Sequence, residues 1–256
     1  MNTGLFKIAT WNTKQGVAPR QKEPVLWQWI QDSIQADVIV LTEAKAPKAG
    51  FPNGWTGIWV PGGVGGRRPW GTVIAGSEVE LQKTEFRRTR TRSAENRPNP
   101  ATTYCVDVLR KGELLVRVLG HYGLMLDGMD GLGALHLLYR ELDDVIGEHG
   151  DKKLIVAGDF NIWPNYVIGD FKSIGMTSVT DMRQSFPTLR DPQYGSRIWT
   201  HKNGAKASDG MRQELDFIFI SKDLKKNFVS TEGGVGDFPD AWEMSYHAPV
   251  SLSLYL

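Results

Sequence analysis

The most informative stretch of the chain is Leu154-Ile155-Val156-Ala157-Gly158-Asp159-Phe160-Asn161. Its apolar first half predicts a buried strand from Lys153 to Ala157, which Asp159 and Asn161 follow. Alternate residues of an extended backbone point the same way, so these two polar side chains are predicted to face one site. There Asp159 can orient or deprotonate a water molecule, and the Asn161 amide can donate a hydrogen bond to a ligand. The local alternative is an Asx-turn, in which the aspartate only turns the chain.

The same arrangement, a polar residue at the end of an apolar run, occurs twice near the amino end. Leu5–Thr10 alternates like a strand before Asn12, and Asp37–Thr42 is a β-branched run typical of a buried strand before Glu43. Between them, Val25–Ile34 has helical spacing with one apolar face. The opening therefore predicts strand, helix, strand. On local grounds alone, Asn12 is a common turn residue and Glu43 a solvent-facing one.

A third pair of polar residues lies near the carboxyl end. Asp216 lies in the predicted strand Leu215–Ile220, and His247 precedes the predicted strand Pro249–Leu254. An aspartate that accepts one ring N–H of a histidine fixes the tautomer and favours the imidazolium. We predict such a dyad here, with His247 acting either as a base or as a cation facing an anion. The local alternative is a structural histidine.

Many strands interrupted by two or three long helices predict an α/β sandwich, with two packed sheets and helices outside. The turn signals and helical spacing place two hairpins and one further helix. These are Gly71–Ala75 with Glu78–Leu81, Thr102–Leu109 with Glu113–Leu119 turning at Lys111-Gly112, and Leu132–Ile146.

Composition sets broad limits. The 256 residues are interpreted as a single domain, 1–256, because the polar motifs run from one end to the other. A hydrophobic content of 41% allows a sizeable core, and a net charge of +1 selects no partner. The single cysteine, Cys105, excludes an intrachain disulfide and fits a reducing compartment. We expect no secretory leader, no membrane span, a cytoplasmic location and a monomer.

Four motifs together carry a family resemblance. They are Ala9-Thr10-Trp11-Asn12, Leu41-Thr42-Glu43-Ala44-Lys45, Ala157-Gly158-Asp159-Phe160-Asn161, and Leu215-Asp216-Phe217 with Ser245-Tyr246-His247-Ala248-Pro249-Val250. Their order and spelling resemble the endonuclease/exonuclease/phosphatase superfamily from Ile8 to Val250. The resemblance implies a four-layer sandwich of two packed mixed β-sheets flanked by helices, with the strand ends converging on one edge.

The resemblance also implies a metal site. Phosphodiester hydrolysis needs a hard cation, a base for water and donors that hold the phosphate. Mg²⁺ prefers oxygen ligands and often takes only one or two carboxylates. Glu43 is the implied ligand, with Asn12 positioning the metal or its water, and Mn²⁺ is an expected substitute. Lys45 resembles the Glu-x-Lys of the abasic-site endonuclease branch and is an implied substrate contact.

Two adjacent residues, His121 and Tyr122, compete for one role in the site. His121 sits where the superfamily places a histidine after a strand, and Tyr122 competes because the abasic-site branch uses a nearby tyrosine. We prefer His121 as donor to the phosphate or leaving oxygen.

The last motif departs from the superfamily pattern. The superfamily usually has Ser-Asp-His where this chain has Ser245-Tyr246-His247, so a second metal site is in question. The other histidines, His136, His149 and His201, are predicted to be structural.

A basic segment suggests a polyanionic substrate. Lys83–Arg97 holds six basic residues against two acidic ones, and arginine suits bidentate phosphate contacts. The predicted contacts are Arg87, Arg88, Arg90 and Arg92. A solvated charged face is the alternative. Among the tryptophans, Trp163 and Trp70 are candidate stacking surfaces for bases.

These observations predict a Mg²⁺-dependent phosphodiester hydrolase, foremost an endonuclease or exonuclease acting on DNA. One alternative is a phosphatase or phosphodiesterase of the same fold acting on inositol phosphates, phospholipids or small nucleotides. A second is a non-catalytic phosphate-binding module, with Tyr246 as the trace of a decayed site.

Overall fold

The computed structural model describes residues 4–14, 23–61, 70–86, 103–123, 131–178, 198–202 and 212–256. Two six-stranded sheets and one two-stranded sheet lie in these ranges. The strands are β1 (Leu5–Asn12), β2 (Val38–Ala44), β3 (Trp55–Pro61), β4 (Gly71–Ser77), β5 (Glu80–Lys83), β6 (Thr103–Arg110), β7 (Glu113–Tyr122), β8 (Leu154–Asp159), β9 (Thr177–Ser178), β10 (His201–Lys202), β11 (Arg212–Gln213), β12 (Asp216–Ile220), β13 (Phe228–Gly233) and β14 (Val250–Tyr255).

Five α-helices accompany the strands in the described ranges. They are α1 (Glu23–Trp29), which continues as a π-helical turn over Ile30–Ile34, α2 (Gly131–His149), α3 (Pro164–Ser173), α4 (Gly234–Asp237) and α5 (Ala241–Met244). A 3₁₀ segment covers Lys222–Asn227. None of the helices in the described part of the chain combines the length and apolar character needed to cross a bilayer.

Each large sheet is mixed and has one parallel pair at its centre. The first sheet has the order β13-β14-β1-β2-β4-β3 and the second β5-β6-β7-β8-β12-β9. The pair β1 and β2 is parallel, as is the pair β7 and β8, and the other pairings are antiparallel. The carboxyl ends of each parallel pair therefore lie side by side, which is the placement that a site built from strand ends requires.

Alternation along the strands builds the layers. In β1, Phe6 and Ile8 point into the core between the two sheets, whereas Ala9 and Trp11 point outward. Residues of α1 and α5 cover the outer face of the first sheet, and residues of α2 and α3 cover that of the second. The predicted four-layer sandwich of two packed mixed sheets flanked by helices is thus confirmed.

One predicted hairpin is present and the other is wrong. β6 and β7 pair antiparallel around Lys111 and Gly112, whose positive φ angles of 55° and 78° suit a two-residue hairpin turn. β4 and β5 do not pair. β4 already has β2 on one edge and β3 on the other, so β5 instead joins β6 in the second sheet. The turn after Ser77 carries the chain from one sheet to the other.

Candidate active site

Polar residues replace apolar ones where the core between the sheets reaches one edge. Asn12 continues the row of Phe6 and Ile8 along β1, and Asp159 continues the row of Ile155 along β8. Both side chains are buried. Because alternation is unbroken along each strand, the row that fills the core ends in the side chains that face the site.

The same rule places Asp216 and Tyr122. Asp216 begins β12 and pairs directly with Asp159 of the antiparallel neighbour β8. Tyr122 ends β7 on the face of Val118, which belongs to the core between the sheets. Four strand ends from two sheets therefore supply polar groups to one place.

Glu43 reaches this edge by a break in the rule. By alternation with Ile39 and Leu41 its side chain belongs on the outer face of β2. The backbone of Glu43 is left-handed, with φ 46°, and the register with β4 shifts between Leu41 and Ala44. These two irregularities turn the carboxylate toward the site, where the Tyr122 hydroxyl donates to Oε1 at 2.9 Å. Non-glycine residues in left-handed backbone are unusual and cluster at functional sites.

Asn12 joins the two carboxylates. Its Nδ2 donates to Asp159 Oδ2 at 2.7 Å and to Glu43 Oε1 at 3.2 Å. Its Oδ1 accepts the backbone N–H of Lys14 at 2.8 Å. The amide oxygen of Asn12 thus faces its own chain, and its amide nitrogen contacts the carboxylates of Asp159 and Glu43.

Asp216 and His247 form the predicted pair. The distance from His247 Nδ1 to Asp216 Oδ2 is 2.7 Å, and both side chains are buried. Burial on its own lowers the pKa of His247. The charges of Asp216, Asp159 and Glu43 and the hydrogen bond to Asp216 outweigh burial and raise this pKa to about 9. His247 is therefore an imidazolium at neutral pH.

Three hydrogen bonds fix the segment that carries His247. The Ser245 hydroxyl donates to the backbone oxygen of Asn12 at 2.7 Å and accepts the His247 backbone N–H at 3.1 Å. The indole of Trp11 donates to the His247 carbonyl at 2.8 Å. The end of β1 and the segment 245–247 are therefore held side by side.

The pKa of the Asp159 carboxyl is raised well above its ordinary value. Burial and the charge of Asp216 raise its pKa to about 7, against the opposing effects of His247 and of hydrogen bonds from Asn12 and Asn161. Gly158 allows the close approach of β7 here, because a Cβ would lie 1.7 Å from the backbone oxygen of His121. A carboxylate poised near neutral pH in a buried cluster is suited to proton transfer.

Asn161 forms the Asx-turn that was the local alternative for its motif, and its predicted contact with phosphate stays a prediction. Its backbone N–H donates to Asp159 Oδ1 at 2.9 Å, which is an Asx-turn, and its own φ is 50°. Its side-chain Nδ2 donates to the Gly123 carbonyl at 2.9 Å. A primary amide has a second N–H, which stays available to a phosphate oxygen.

The buried half of the site, Asp159, Asp216 and His247, is complemented by an accessible mouth formed by Lys14, Glu43 and Tyr246. Lys14 has φ 47°, and its Nζ lies over the ring of Tyr246 at 2.8 Å from the centroid. Tyr246 is 40% exposed. Burial lowers the pKa of Lys14, and the charge of Glu43 partly opposes this. Nothing local in the sequence marked Lys14.

Hydrogen bonds across the site link the two sheets. Asn12 to Asp159, Tyr122 to Glu43, and His247 to Asp216 each join a residue of the first sheet or its flanking segment to a residue of the second. The site is therefore the polar edge of the interface between the sheets.

The preference for His121 over Tyr122 is corrected by the strand geometry. His121 alternates with Leu119 onto the helix-covered face of the second sheet, is 0% exposed, and lies against the Phe160 ring at 4.9 Å. Its Nδ1 lies 3.3 Å from the Thr103 hydroxyl. Tyr122, the next residue, points the opposite way and contacts Glu43. A prediction of which of two adjacent residues faces a site needs the register of the strand.

His201, predicted to be merely structural, lies beside the site. Its ring is 4.5 Å from that of His247, and the two residues form an isolated β-bridge. Its Nδ1 contacts Gln213 Oε1 at 2.8 Å. Burial and the charge of His247 lower the pKa of His201. Its sequence context carries no signal, because the contact depends on the strand pair β10 and β11.

Only some of the predicted substrate contacts lie within the described residues. Lys45 is exposed just after β2, and Arg87, Arg88, Arg90 and Arg92 lie outside the described residues. Trp163 is 46% exposed at the start of α3, two residues past Asn161. Trp70 is buried and packs edge-on against Tyr122 at 5.4 Å, so it supports the tyrosine.

The donor set fits a hard divalent cation at Glu43. Ligand atoms of Asp159, Asp216 and His247 also lie within 4.8 Å of one another. A protonated His247 cannot donate a lone pair to a metal, so this buried group is better suited to proton transfer. Glu43 is the partly exposed carboxylate, and Asp216 Oδ1 is buried without a hydrogen bond from the described residues. The surplus of negative charge favours a bound cation.

The comparisons with known proteins agree with this geometry. Residues 9–247 match the family described as "Endonuclease/Exonuclease/phosphatase family". The chain therefore belongs to this family, as the resemblance of its motifs predicted. No curated protein matches the chain.

Solved structures show the same fold at low identity. A 3'-5' exonuclease (NExo) from Neisseria meningitidis superposes with a TM-score of 0.68 and 19% identity, covering 98% of this chain and 100% of that chain. An AP endonuclease from Archaeoglobus fulgidus gives a TM-score of 0.66 and 15% identity, with coverage of 98% and 100%. Truncated Caenorhabditis elegans TDP2 gives 0.66 and 12%, with coverage of 98% and 98%.

Proposed function

We propose that the protein is a divalent-cation-dependent phosphodiester hydrolase that cleaves DNA. The observation that carries the proposal is the buried half of the site, where Asp159 lies beside His247, which Asp216 holds, and Asn12 joins Asp159 to Glu43. Together Asp159 and His247 offer a base and a fixed cation at the same pH. Membership of the family and solved neighbours described as an exonuclease and an AP endonuclease support the choice of reaction.

Each group has a distinct role in this proposal. As the water oxygen bonds to phosphorus, Asp159 accepts the water proton, the P–O bond to the leaving sugar oxygen breaks, and that oxygen takes a proton from solvent. His247, held by Asp216, stabilises negative charge on the phosphoryl oxygens. Asn161 donates its second amide N–H to the phosphate. Glu43 holds the cation, Mg²⁺ or Mn²⁺, which when bound offsets charge on the phosphate. Tyr122 and Asn12 orient Glu43 through their hydrogen bonds.

DNA as substrate rests on separate observations. A Neisseria 3' phosphatase, a form of NExo, has been solved bound to a product DNA hairpin and superposes with a TM-score of 0.66 at 18% identity. In this chain, the exposed indole of Trp163 stands two residues past Asn161, where it can stack on a base. Contacts from Arg87, Arg88, Arg90 and Arg92 stay a prediction, as do monomeric state and cytoplasmic location.

A parallel assay tests the proposal. Supercoiled plasmid, a DNA oligonucleotide with a 3' phosphate and an inositol polyphosphate are incubated with the protein in Mg²⁺, in Mn²⁺ and in chelator. We expect cleavage of plasmid DNA with either cation and none in chelator. Undiminished cleavage in chelator contradicts the metal requirement. Turnover of the inositol polyphosphate alone contradicts the DNA assignment, and absence of any turnover contradicts an enzymatic role.

A further inference from the structure

Lys14 occupies a position that its backbone determines. Its left-handed φ of 47° and the hydrogen bond from its N–H to Asn12 Oδ1 fix the chain just beyond β1. Ser245 binds the backbone oxygen of Asn12, so the residue after it, Tyr246, lies next to Lys14. The contact between the ammonium and the ring therefore follows from anchored backbone on both sides.

The Lys14 ammonium rests on an aromatic ring and keeps N–H donors for another acceptor. The Tyr246 ring attracts the charge without accepting a conventional hydrogen bond. Among the described residues, Lys14 forms no ion pair, although Glu43 attracts it electrostatically. A lysine carries three N–H donors, so those not directed at the ring remain available to an anion. Both Lys14 and Tyr246 are open to solvent at the mouth.

We propose that Lys14, held on the ring of Tyr246, binds a phosphoryl oxygen of the substrate and supplies a fixed positive charge beside Glu43. The carboxylates of Glu43, Asp159 and Asp216 repel a phosphate anion, and Lys14 offsets this repulsion at the place where the anion enters. The inference rests on the proposed function for the identity of the anion as a phosphoester.

This placement gives Lys14 opposite effects on two ligands. It attracts phosphate, and it repels a divalent cation that binds the same Glu43 carboxylate. Removing its charge should therefore weaken phosphate binding and strengthen cation binding. Loss of structure around the site would weaken both phosphate binding and cation binding. Opposite changes in the two affinities therefore distinguish a binding role of Lys14 from a folding role.

The test uses Lys14→Met, which removes the charge and keeps an unbranched stem over the ring. Inorganic phosphate binding in the presence of Mg²⁺, and Mn²⁺ binding in the absence of phosphate, are measured by calorimetry on the full chain. We expect the variant to lose about tenfold or more in phosphate affinity. We expect it to gain about threefold or more in Mn²⁺ affinity.

Lys111→Met is the matched control. Lys111 is also an exposed lysine with a positive φ, 55°, but it lies at the opposite end of β7 from Tyr122. Both affinities should match those of the wild-type protein. Tyr246→Phe should retain phosphate affinity because the ring remains, whereas Tyr246→Leu should lose part of it.

The inference is overturned if Lys14→Met keeps phosphate affinity within about twofold, if both affinities fall together, or if the wild-type protein binds no phosphate at millimolar concentration. It can fail separately from the proposed function. Opposite shifts in a protein that cleaves no DNA support Lys14 and contradict the nuclease. DNA cleavage with phosphate binding that is independent of Lys14 supports the nuclease and contradicts this role.

Discussion

Two members of the buried half of the active site, Asp159 and Asp216, are positioned by strands, whereas Lys14 and Glu43 of the mouth are positioned by irregular backbone. Asp159 and Asp216 are paired residues of neighbouring strands, and their place follows from alternation and register. Lys14 and Glu43 stand in left-handed backbone just beyond β1 and near the end of β2. The difference separates two tasks. In the proposed function, the aspartates of the buried half lie where the sheets fix their positions, and the groups proposed to bind ligands lie where the backbone departs from the sheet.

The two regions also differ in how charge is stabilised. In the buried half, desolvation is large, and the titration of Asp159 and His247 depends on their mutual charges. In the mouth, water screens each charge, so a side chain there can be replaced at small cost to the fold. Substitutions in the buried half should thus change chemistry most, and substitutions in the mouth should change ligand affinity.

The strongest test of this contrast is removal of the buried groups. His247→Ala and Asp159→Ala should each lower kcat for DNA cleavage by about a thousandfold or more, because a positioned acid or base contributes about 10²–10⁴ to rate. Thermal melting should show that both variants fold, because the remaining strand pairing is unaffected. A kcat within about tenfold of wild type, roughly 1.4 kcal/mol of barrier, would show that the assignment is wrong.

The pH dependence should report the buried half as a coupled pair. Asp159 must lose its proton to act as a base, so kcat/KM should rise as pH increases through about 7. His247 must keep its proton to act as a cation, so kcat/KM should fall as pH passes through about 9. A bound divalent cation favours the carboxylate and should move the acid limb lower. A profile measured at two Mg²⁺ concentrations checks both limbs.

The Asp216→Asn variant tests whether the fall in kcat/KM at high pH is due to His247. It removes a charge that raises the pKa of His247, so this alkaline limb should shift to lower pH. The two limbs of the kcat/KM–pH profile report the titration of the coupled cluster as a whole. A shift of the alkaline limb in this variant would attribute that limb to His247. An alkaline limb that does not move in this variant contradicts the role of His247.

The smallest expected effect distinguishes two adjacent residues of β7. Tyr122→Phe removes the hydrogen bond to Glu43 and should lower cation affinity and kcat/KM by about tenfold or less. His121→Gln should lower the melting temperature, because His121 is fully buried, and leave kcat of the folded protein near the wild-type value. Calorimetry with Mn²⁺ and steady-state kinetics make the comparison. A greater loss of kcat in the His121 variant would reverse our assignment.

Much of the fold and site could be predicted where the information is local. Apolar runs ending in a polar residue located Asn12 and Asp159, and the structure brings them together because strand alternation continues to both residues. Asp216, placed in a predicted strand, pairs with Asp159. The hairpin at Lys111-Gly112 was predictable because Gly112 readily adopts the positive φ that its turn requires.

The failures concern long-range geometry. The turn after Ser77 signals a change of direction, but its sequence does not state that both edges of β4 are already occupied. Glu43 faces the site through a left-handed residue that alternation does not anticipate. His201 approaches the site only through a pairing with a distant segment. Lys14, two residues past Asn12, reaches the site through left-handed backbone that the sequence does not signal.

The hydrogen bonds that link the sheets across the active site have a consequence for the lifetime of the protein. A cation or substrate bound among Glu43, Asp159 and their partners adds attraction between the two sheets, and it does so only in the folded chain. Binding of this kind stabilises a protein by RT ln(1 + [L]/Kd), about 2.7 kcal/mol at a hundredfold excess over Kd. Occupancy and resistance to proteolysis are thereby coupled, so protein deprived of divalent cation should be degraded faster than protein engaged in its reaction.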